Sequence, residues 1–272
     1  MNILSDDDET NDFINANYIP GYSSVREYIA TQGPLYSTIP DFWKMIWEQK
    51  CQMIIMLSDL TEGGKRKVDL YWPENLNEPI NYGSVVVEMT NFSQLNTYII
   101  RNFKLIKGEE TRKVIHFFLP GWPDYSADIK FDDVLGFVKA VRQEVKPDNQ
   151  GPIVVHCSAG VGRSGTFIAL DYFAQYVEKH SLDDSVDIFD FVLQMRKNRT
   201  RMVQVETQYI FIYDGINKLI QSKIKSEQEK LYENVSTGNG VYENFKQQEE
   251  KLYANTDVKN DKYVYNNEAF AA

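Results

Sequence analysis

The chain has 272 residues, 43% of them hydrophobic, and a formal net charge of −10. That is enough apolar material for one large core, and the acidic balance excludes a general binder of nucleic acid or of anionic membrane, both of which need a basic face. Two cysteines, no apolar run long enough to span a bilayer and an acidic opening, MNILSDDDE, predict a reducing, cytoplasmic setting without a disulfide framework.

Residues 13 to 57 mix short apolar runs with loop punctuation. Within them Phe42, Trp43, Met45, Ile46 and Trp47 have the spacing of a short buried helix, with Asp41 as its N-cap. MIIMLSDL, from 53, reads as a buried strand, and SVVVEMT, NTYIIRNFKLI and KVIHFFL, between 83 and 119, read as three more. Lys107 to Glu110 form the turn between the last two. FDDVLGFVKAVRQEV (131–145) is a helix ended by Lys146-Pro147, and PIVVH (152–156) a strand buried on both faces. SGTFIALDYFAQYVEKH and DIFDFVLQMRKNR are helices, and a third runs from about Thr207 to about Lys225. Mixed strands followed by helices predict an α/β or α+β domain around one twisted sheet. From residue 226 aliphatics become scarce while Glu, Lys, Gln and Asn abound, so 1–225 reads as the domain and 226–272 as a disordered tail.

Between the strand PIVVH and the next helix lies HCSAGVGRSG. A strand, a glycine-rich turn and a helix N-terminus converge backbone N–H groups on one point, where the helix dipole adds positive charge. Gly160, Gly162 and Gly165 let the backbone curl and approach a ligand. Arg163, six residues after Cys157, can hold two phosphate oxygens in its planar fork. The same field favours thiolate at Cys157, which makes it a nucleophile, while His156 orients the loop or donates to it. Cys51 has no such company and reads as a core cysteine.

HCSAGVGRSG resembles the phosphate-binding loop of the cysteine-dependent protein tyrosine phosphatases, H-C-x5-R-S/T. NDFINANYI, REYIATQGPL, DFWKMIWEQ, KRKVDLYWP, GWPDY and MVQVETQYIFIY resemble motifs of its tyrosine-specific branch, in the family's order, over residues 9 to about 220. The resemblance implies an α/β fold: a twisted mixed β-sheet flanked by helices, with the phosphate-binding loop between a central strand and a helix. It implies that Cys157 is the nucleophile and that Ser158, Ala159, Gly160, Val161, Gly162 and Arg163 cradle the phosphate. Asp124 becomes the general acid on a mobile loop packed by Trp122, and Gln204, supported by Gln208, positions the hydrolytic water. Ser164 hydrogen-bonds the sulfur, Glu62 salt-bridges Arg163, and Lys67 pairs with Asp124 in one loop state. No metal or cofactor is called for, since the loop amides and Arg163 supply the positive charge.

The sequence departs from the family at Pro120, Tyr125 and Ser126 around the acid, where a different rate of loop closure is expected, and at Val205, where a threonine is usual. It starts at ETNDFINAN, so the resemblance implies an N-terminally truncated form of a longer protein. In the tail, Tyr232, Tyr242, Tyr253 and Tyr265 each have asparagine two residues later, the pattern that adaptor Src-homology-two domains favour once the tyrosine is phosphorylated. A single phosphatase domain with such a tail is similar to the single-domain receptor-type enzymes, which implies tyrosine-phosphorylated proteins as substrates and a membrane-anchored parent. The alternatives are a catalytically weak phosphotyrosine-binding scaffold whose tail recruits adaptors, and a lipid or dual-specificity phosphatase with a shallower pocket.

Overall fold

The computed structural model describes residues 13–146 and 151–236, with side chains as far as residue 230. The chain opens with two short strands, β1 (Ala16–Ile19) and β2 (Tyr28–Thr31), which the mixed composition before residue 40 concealed. Helix α1 (Ile39–Glu48) follows, burying Phe42, Trp43, Met45, Ile46 and Trp47 as their spacing predicts. Its N-cap is Thr38, with Pro40 and Asp41 inside the first turn, so the expectation of Asp41 as the cap is corrected. Proline is preorganised for that turn, and a carboxylate there still meets the positive end of the helix dipole.

Strand β3 (Met53–Met56) leads to a small hairpin, β4 (Thr61–Glu62) and β5 (Lys65–Arg66), and then to a meander. The meander is β6 (Ile80–Tyr82), β7 (Val85–Gln94), β8 (Ile99–Lys107) and β9 (Glu110–Phe118). After α2 (Phe131–Glu144), strand β10 (Ile153–His156) enters the centre, and α3 (Gly162–Lys179), α4 (Ile188–Asn198) and α5 (Glu206–Ser236) complete the fold. One eight-stranded sheet has the order β1-β2-β10-β3-β9-β8-β7-β6. Its centre, β2-β10-β3-β9, is parallel, and antiparallel strands finish both sides. This is the mixed, helix-flanked sheet that the sequence implied.

Strand alternation divides the core. Ile54, Met56 and Val154 join α1 and the meander on one face, while Ile55, Leu57 and Val155 join α2 to α5 on the other. All four residues of β10 are buried, so its C-terminal end emerges between two packed layers. Open parallel sheets place their ligands at that end.

Helix α5 continues through residues 226–236, where composition pointed to a disordered tail. Ile220 and Ile224 are still buried, and around and past Ile224 Lys223–Glu227 and Lys225–Glu229 pair one turn apart at 4.0 Å. Adding residues to an anchored helix avoids the nucleation cost, so good helix formers prolong it into solvent.

A buried ion cluster fastens the helical layer to the sheet. Arg142 of α2 donates to Asp171 of α3 at 2.6 and 2.5 Å and pairs with Glu27 at 2.7 Å. Tyr28 of β2 donates to the same Asp171 at 2.5 Å. Asp171 is fully buried, and removing its cation strands two carboxylates in a low dielectric. Arg142→Met is therefore expected to destabilise the fold by about 3–5 kcal/mol, read as a lowered urea midpoint.

Candidate active site

Cys157 follows β10 directly and is 3% exposed. The loop after it returns into α3, and its glycines serve two purposes. Gly160 has φ +68°, and a Cβ there would stand 1.9 Å from the Thr31 carbonyl oxygen, so it meets both a left-handed backbone and a close approach to β2. Gly165 is helical, and its Cβ would lie 2.5 Å from the Val203 nitrogen, so it admits the chain before α5 rather than bending the loop. The N–H groups of Ser158 to Val161 donate to no other group among the described residues.

Arg199, which sequence reasoning missed, holds this loop from behind. Its Nε donates to the Gly160 carbonyl at 2.8 Å and one Nη to that of Ala159 at 2.9 Å. Its other Nη donates to the side-chain oxygens of Asn15 at 3.0 Å and Asn17 at 2.7 Å. Because a peptide's C=O and N–H point oppositely, fixing those carbonyls outward turns the next N–H groups inward. The residue was hidden because its partners lie far away in sequence.

Arg163 has no exposed surface. One Nη donates to Glu62 at 2.6 Å and to the Trp122 carbonyl at 2.7 Å, and the other reaches Asp124 at 3.2 Å. Its Nε is buried without a hydrogen-bond partner. Burial opposes its charge, but Cys157, Glu62 and Asp124 raise its pKa, so the guanidinium stays protonated. An oriented fork with an unused donor suits an anion with two oxygens.

Asp124 stands between two cations, since its second oxygen accepts from Lys67 at 2.7 Å. That hydrogen bond raises the pKa of the Lys67 ammonium. Trp122 is buried, packs on Phe211 at 6.0 Å, and donates from its indole to the Ser126 carbonyl at 3.0 Å. Tyr125, by contrast, is exposed with φ +53°, a strained setting for an aromatic residue. Ser164 donates to the Cys157 sulfur at 3.3 Å.

Gln208 is buried, and its side-chain oxygen accepts from the Gln204 N–H at 3.1 Å. The Gln204 side chain makes no hydrogen bond among the described residues, which leaves its amide available. Val203, just before it, has φ +59°, an outlier for a β-branched residue. Arg196 holds the Met202 and Val203 carbonyls at 3.0 and 2.9 Å, and Val203 donates to Val161 at 3.1 Å.

The structure thus brings together Cys157, Ser164, Arg163, Glu62, Asp124, Lys67, Trp122, Gln204 and Gln208. Cavities of about 690 and 660 Å³ open elsewhere, beside Arg26 and Arg142 and beside Lys104 and Lys113. Cys51 is buried, and desolvation drives its thiol pKa up, away from reactivity.

His156 does not point its imidazole at the anion site. Its Nδ1 lies 3.2 Å from the Cys157 carbonyl, so it is the donor there, and Nε2 must accept from Tyr71 at 2.8 Å. The Tyr71 oxygen then accepts from Nε2 of His116 at 2.8 Å, and His116 Nδ1 accepts from Arg101 at 3.4 Å. His156, Tyr71 and His116 each give one hydrogen and take one. Burial lowers the pKa of His156 to about 4 and that of His116 well below its usual value, so both rings are neutral near pH 7.

Unfolded, these histidines bind protons near pH 6.5, while folded they do not until well below that. Stability is therefore full above about pH 6.5 and falls as the pH drops toward 4, with a slope of up to about 1.4 kcal/mol per pH unit for each ring. Urea midpoints measured at pH 7, 6 and 5 should fall in that order, and a flat profile would refute the neutral chain.

The family described as Protein-tyrosine phosphatase matches residues 2–218. Receptor-type tyrosine-protein phosphatase eta of Homo sapiens is 40% identical over 86% of the chain, and its Gallus gallus counterpart 38% identical over 87%. In both the match covers 17% of the relative. Receptor-type tyrosine-protein phosphatase zeta of Rattus norvegicus is 42% identical over 80% of the chain and 10% of the relative. The chain therefore spans less than a fifth of the length of these curated relatives.

Proposed function

This chain belongs to the protein-tyrosine phosphatase family, and from its site we propose that it hydrolyses phosphotyrosine in proteins through a cysteinyl-phosphate intermediate. The observation that carries the reading is the set of donors left without an acceptor among the described residues: the buried Nε of Arg163 and the loop N–H groups behind Cys157. A phosphate dianion meets both, with its remaining charge spread over the loop.

The Cys157 sulfur attacks phosphorus and forms the S–P bond as the P–O bond to the tyrosyl oxygen breaks. Asp124 gives that oxygen a proton, without which it is a poor leaving group. Glu62 and the Trp122 carbonyl hold Arg163 in the plane of the moving oxygens. Gln204 then positions a water that attacks phosphorus, Asp124 takes its proton, and the sulfur leaves with a hydrogen bond from Ser164. Inorganic phosphate is the product. Each step uses this chain's own groups.

Hydrolysis of a phosphotyrosine peptide in EDTA is the direct test. Turnover should be abolished in Cys157→Ser and reduced by about 10²–10⁴-fold in Asp124→Ala. Turnover that survived in Cys157→Ser would sink the mechanism.

We take residues 1–225 as the catalytic unit and 226–272 as a signalling tail on the cytoplasmic side of a receptor-type parent. Among the described residues no helix is long and apolar enough to cross a membrane. Tyr232 falls within the α5 backbone, while Tyr242, Tyr253 and Tyr265 lie outside the described residues. Phosphorylated, these tyrosines offer adaptor domains an arginine-binding phosphate with asparagine two residues on. A peptide of residues 229–235 phosphorylated on Tyr232 should bind such a domain about tenfold more tightly than its Asn234→Ala form, as measured by calorimetry. Equal affinities would remove the adaptor role.

A further inference from the structure

At the end of β10 away from the phosphate loop, Gly151, Pro152 and Ile153 line a cavity of about 690 Å³. The β1–β2 connection and the C-terminal ends of α1 and α2 complete its walls. Its charged lining is Arg26, Arg142, Lys146 and Glu27, three cations to one carboxylate, in a chain of net charge −10.

The floor is the ion cluster that joins α2 to α3, and there the hydrogens do not balance. Nε and one Nη of Arg142 donate to Asp171, and the same Nη also donates to the Tyr28 oxygen. That nitrogen carries two hydrogens, and both are spent. Glu27 Oε1 lies 2.7 Å from it but receives no hydrogen, and it is buried without a hydrogen-bond partner. The other Glu27 oxygen accepts from the Ser23 N–H at 2.8 Å. The second Nη of Arg142 donates to no group among the described residues. At the rim the Arg26 guanidinium lies over the Tyr18 ring at 4.8 Å. Arg26 and Lys146 are both exposed, and no carboxylate among the described residues lies within ion-pair distance of either.

A bare anion would answer these cations but leave Glu27 facing it without a hydrogen. An amine would answer Glu27 but meet three like charges. A molecule with both an anionic group and hydroxyl donors satisfies every group, and a cavity of this size has room for one. We propose that the cavity is a second binding site, for a phosphorylated polyol: Arg26, Lys146 and the free Nη of Arg142 hold its phosphate, and one of its hydroxyls donates to Glu27. Free inositol phosphates and the headgroups of inositol phospholipids both carry that chemistry.

Binding is measured by calorimetry on the Cys157→Ser chain, which lacks the thiol that would consume a phosphate ester. The probes are myo-inositol 1-phosphate and propyl phosphate, equal in charge but differing in hydroxyls. The inositol ester should bind about tenfold more tightly, the worth of a hydrogen bond to a charged acceptor. Arg26→Glu with Lys146→Glu, both at exposed positions, should weaken it at least about tenfold, while kcat/KM for a phosphotyrosine peptide on the otherwise unaltered chain stays the same. Phosphatidylcholine vesicles with and without phosphatidylinositol 4-phosphate, sedimented with the chain, separate the two sources. Retention that needs the phosphoinositide and is lost in the double variant assigns the lipid headgroup, and binding of the free ester alone assigns a soluble ligand. Either result supports the site. Binding of neither form, equal affinity for the two esters, or binding that the double variant leaves unchanged overturns the proposal, the last because it places the ester elsewhere, as in the phosphate loop.

Discussion

A guanidinium with no exposed surface is the constraint around which this domain is arranged. Arg163 sits at the first turn of α3, where its side chain faces the phosphate loop, and it must be paired to be buried at all. Its partners come from three separate segments: Glu62 from the small hairpin, the Trp122 carbonyl and Asp124 from the loop after β9, and Cys157 from the end of β10. The cost of burying one charge thus assembles Cys157, Asp124 and Arg163 itself at a single point. The fork edge that remains, Nε, is the part a ligand completes.

Two layers stand behind that point. Arg199 turns the Ala159 and Gly160 carbonyls away from the site and ties them to Asn15 and Asn17 beside the edge strand β1. The chain from Arg101 through His116, Tyr71 and His156 ends on the carbonyl of Cys157 and is directed by hydrogen-bond stoichiometry, since the single Tyr71 hydroxyl hydrogen goes to His156 while its oxygen accepts from His116. Both fix peptide groups of the loop, and fixed dipoles do not need to reorganise when charge moves nearby.

Much of the centre was legible because it is local. HCSAGVGRSG carries strand end, loop and helix start within ten residues, so one stretch holds Cys157, the glycine loop and Arg163. Glu62, Lys67 and Asp124 were placed by resemblance, and the ion pairs agree with that placement. Arg199, Arg196, Tyr71 and His116 were not legible. Arg199, Tyr71 and His116 work through partners far away in sequence, Arg196 holds two carbonyls of the irregular chain just after it, and an arginine in or at the end of an amphipathic helix looks like any solvated charge. The extent of α5 was misjudged for a different reason. Composition measures whether a segment can bury a core, and this one needs none, because it propagates from a helix already anchored by Ile220 and Ile224.

Strain is unevenly distributed around the site, and the distribution follows the chemistry. Val203 occupies the left-handed region in the interior, held by Arg196 and Val161, immediately before the glutamine assigned to the water. Tyr125 occupies the same region at the surface, immediately after Asp124. Such residues cost roughly 1–3 kcal/mol each and persist only where their surroundings over-determine them. Around Val203 the surroundings are a packed core and three hydrogen bonds, so the strain is locked and Gln204 is a fixed fixture. Around Tyr125 the ring is in water, so the conformation is held by what its neighbours grip: Asp124 between Lys67 and Arg163, and Trp122 through its carbonyl and indole. When a phosphate takes the Arg163 fork those grips compete with it. Asp124 is therefore the part of the site whose position an anion at Arg163 can change, while Gln204 is not.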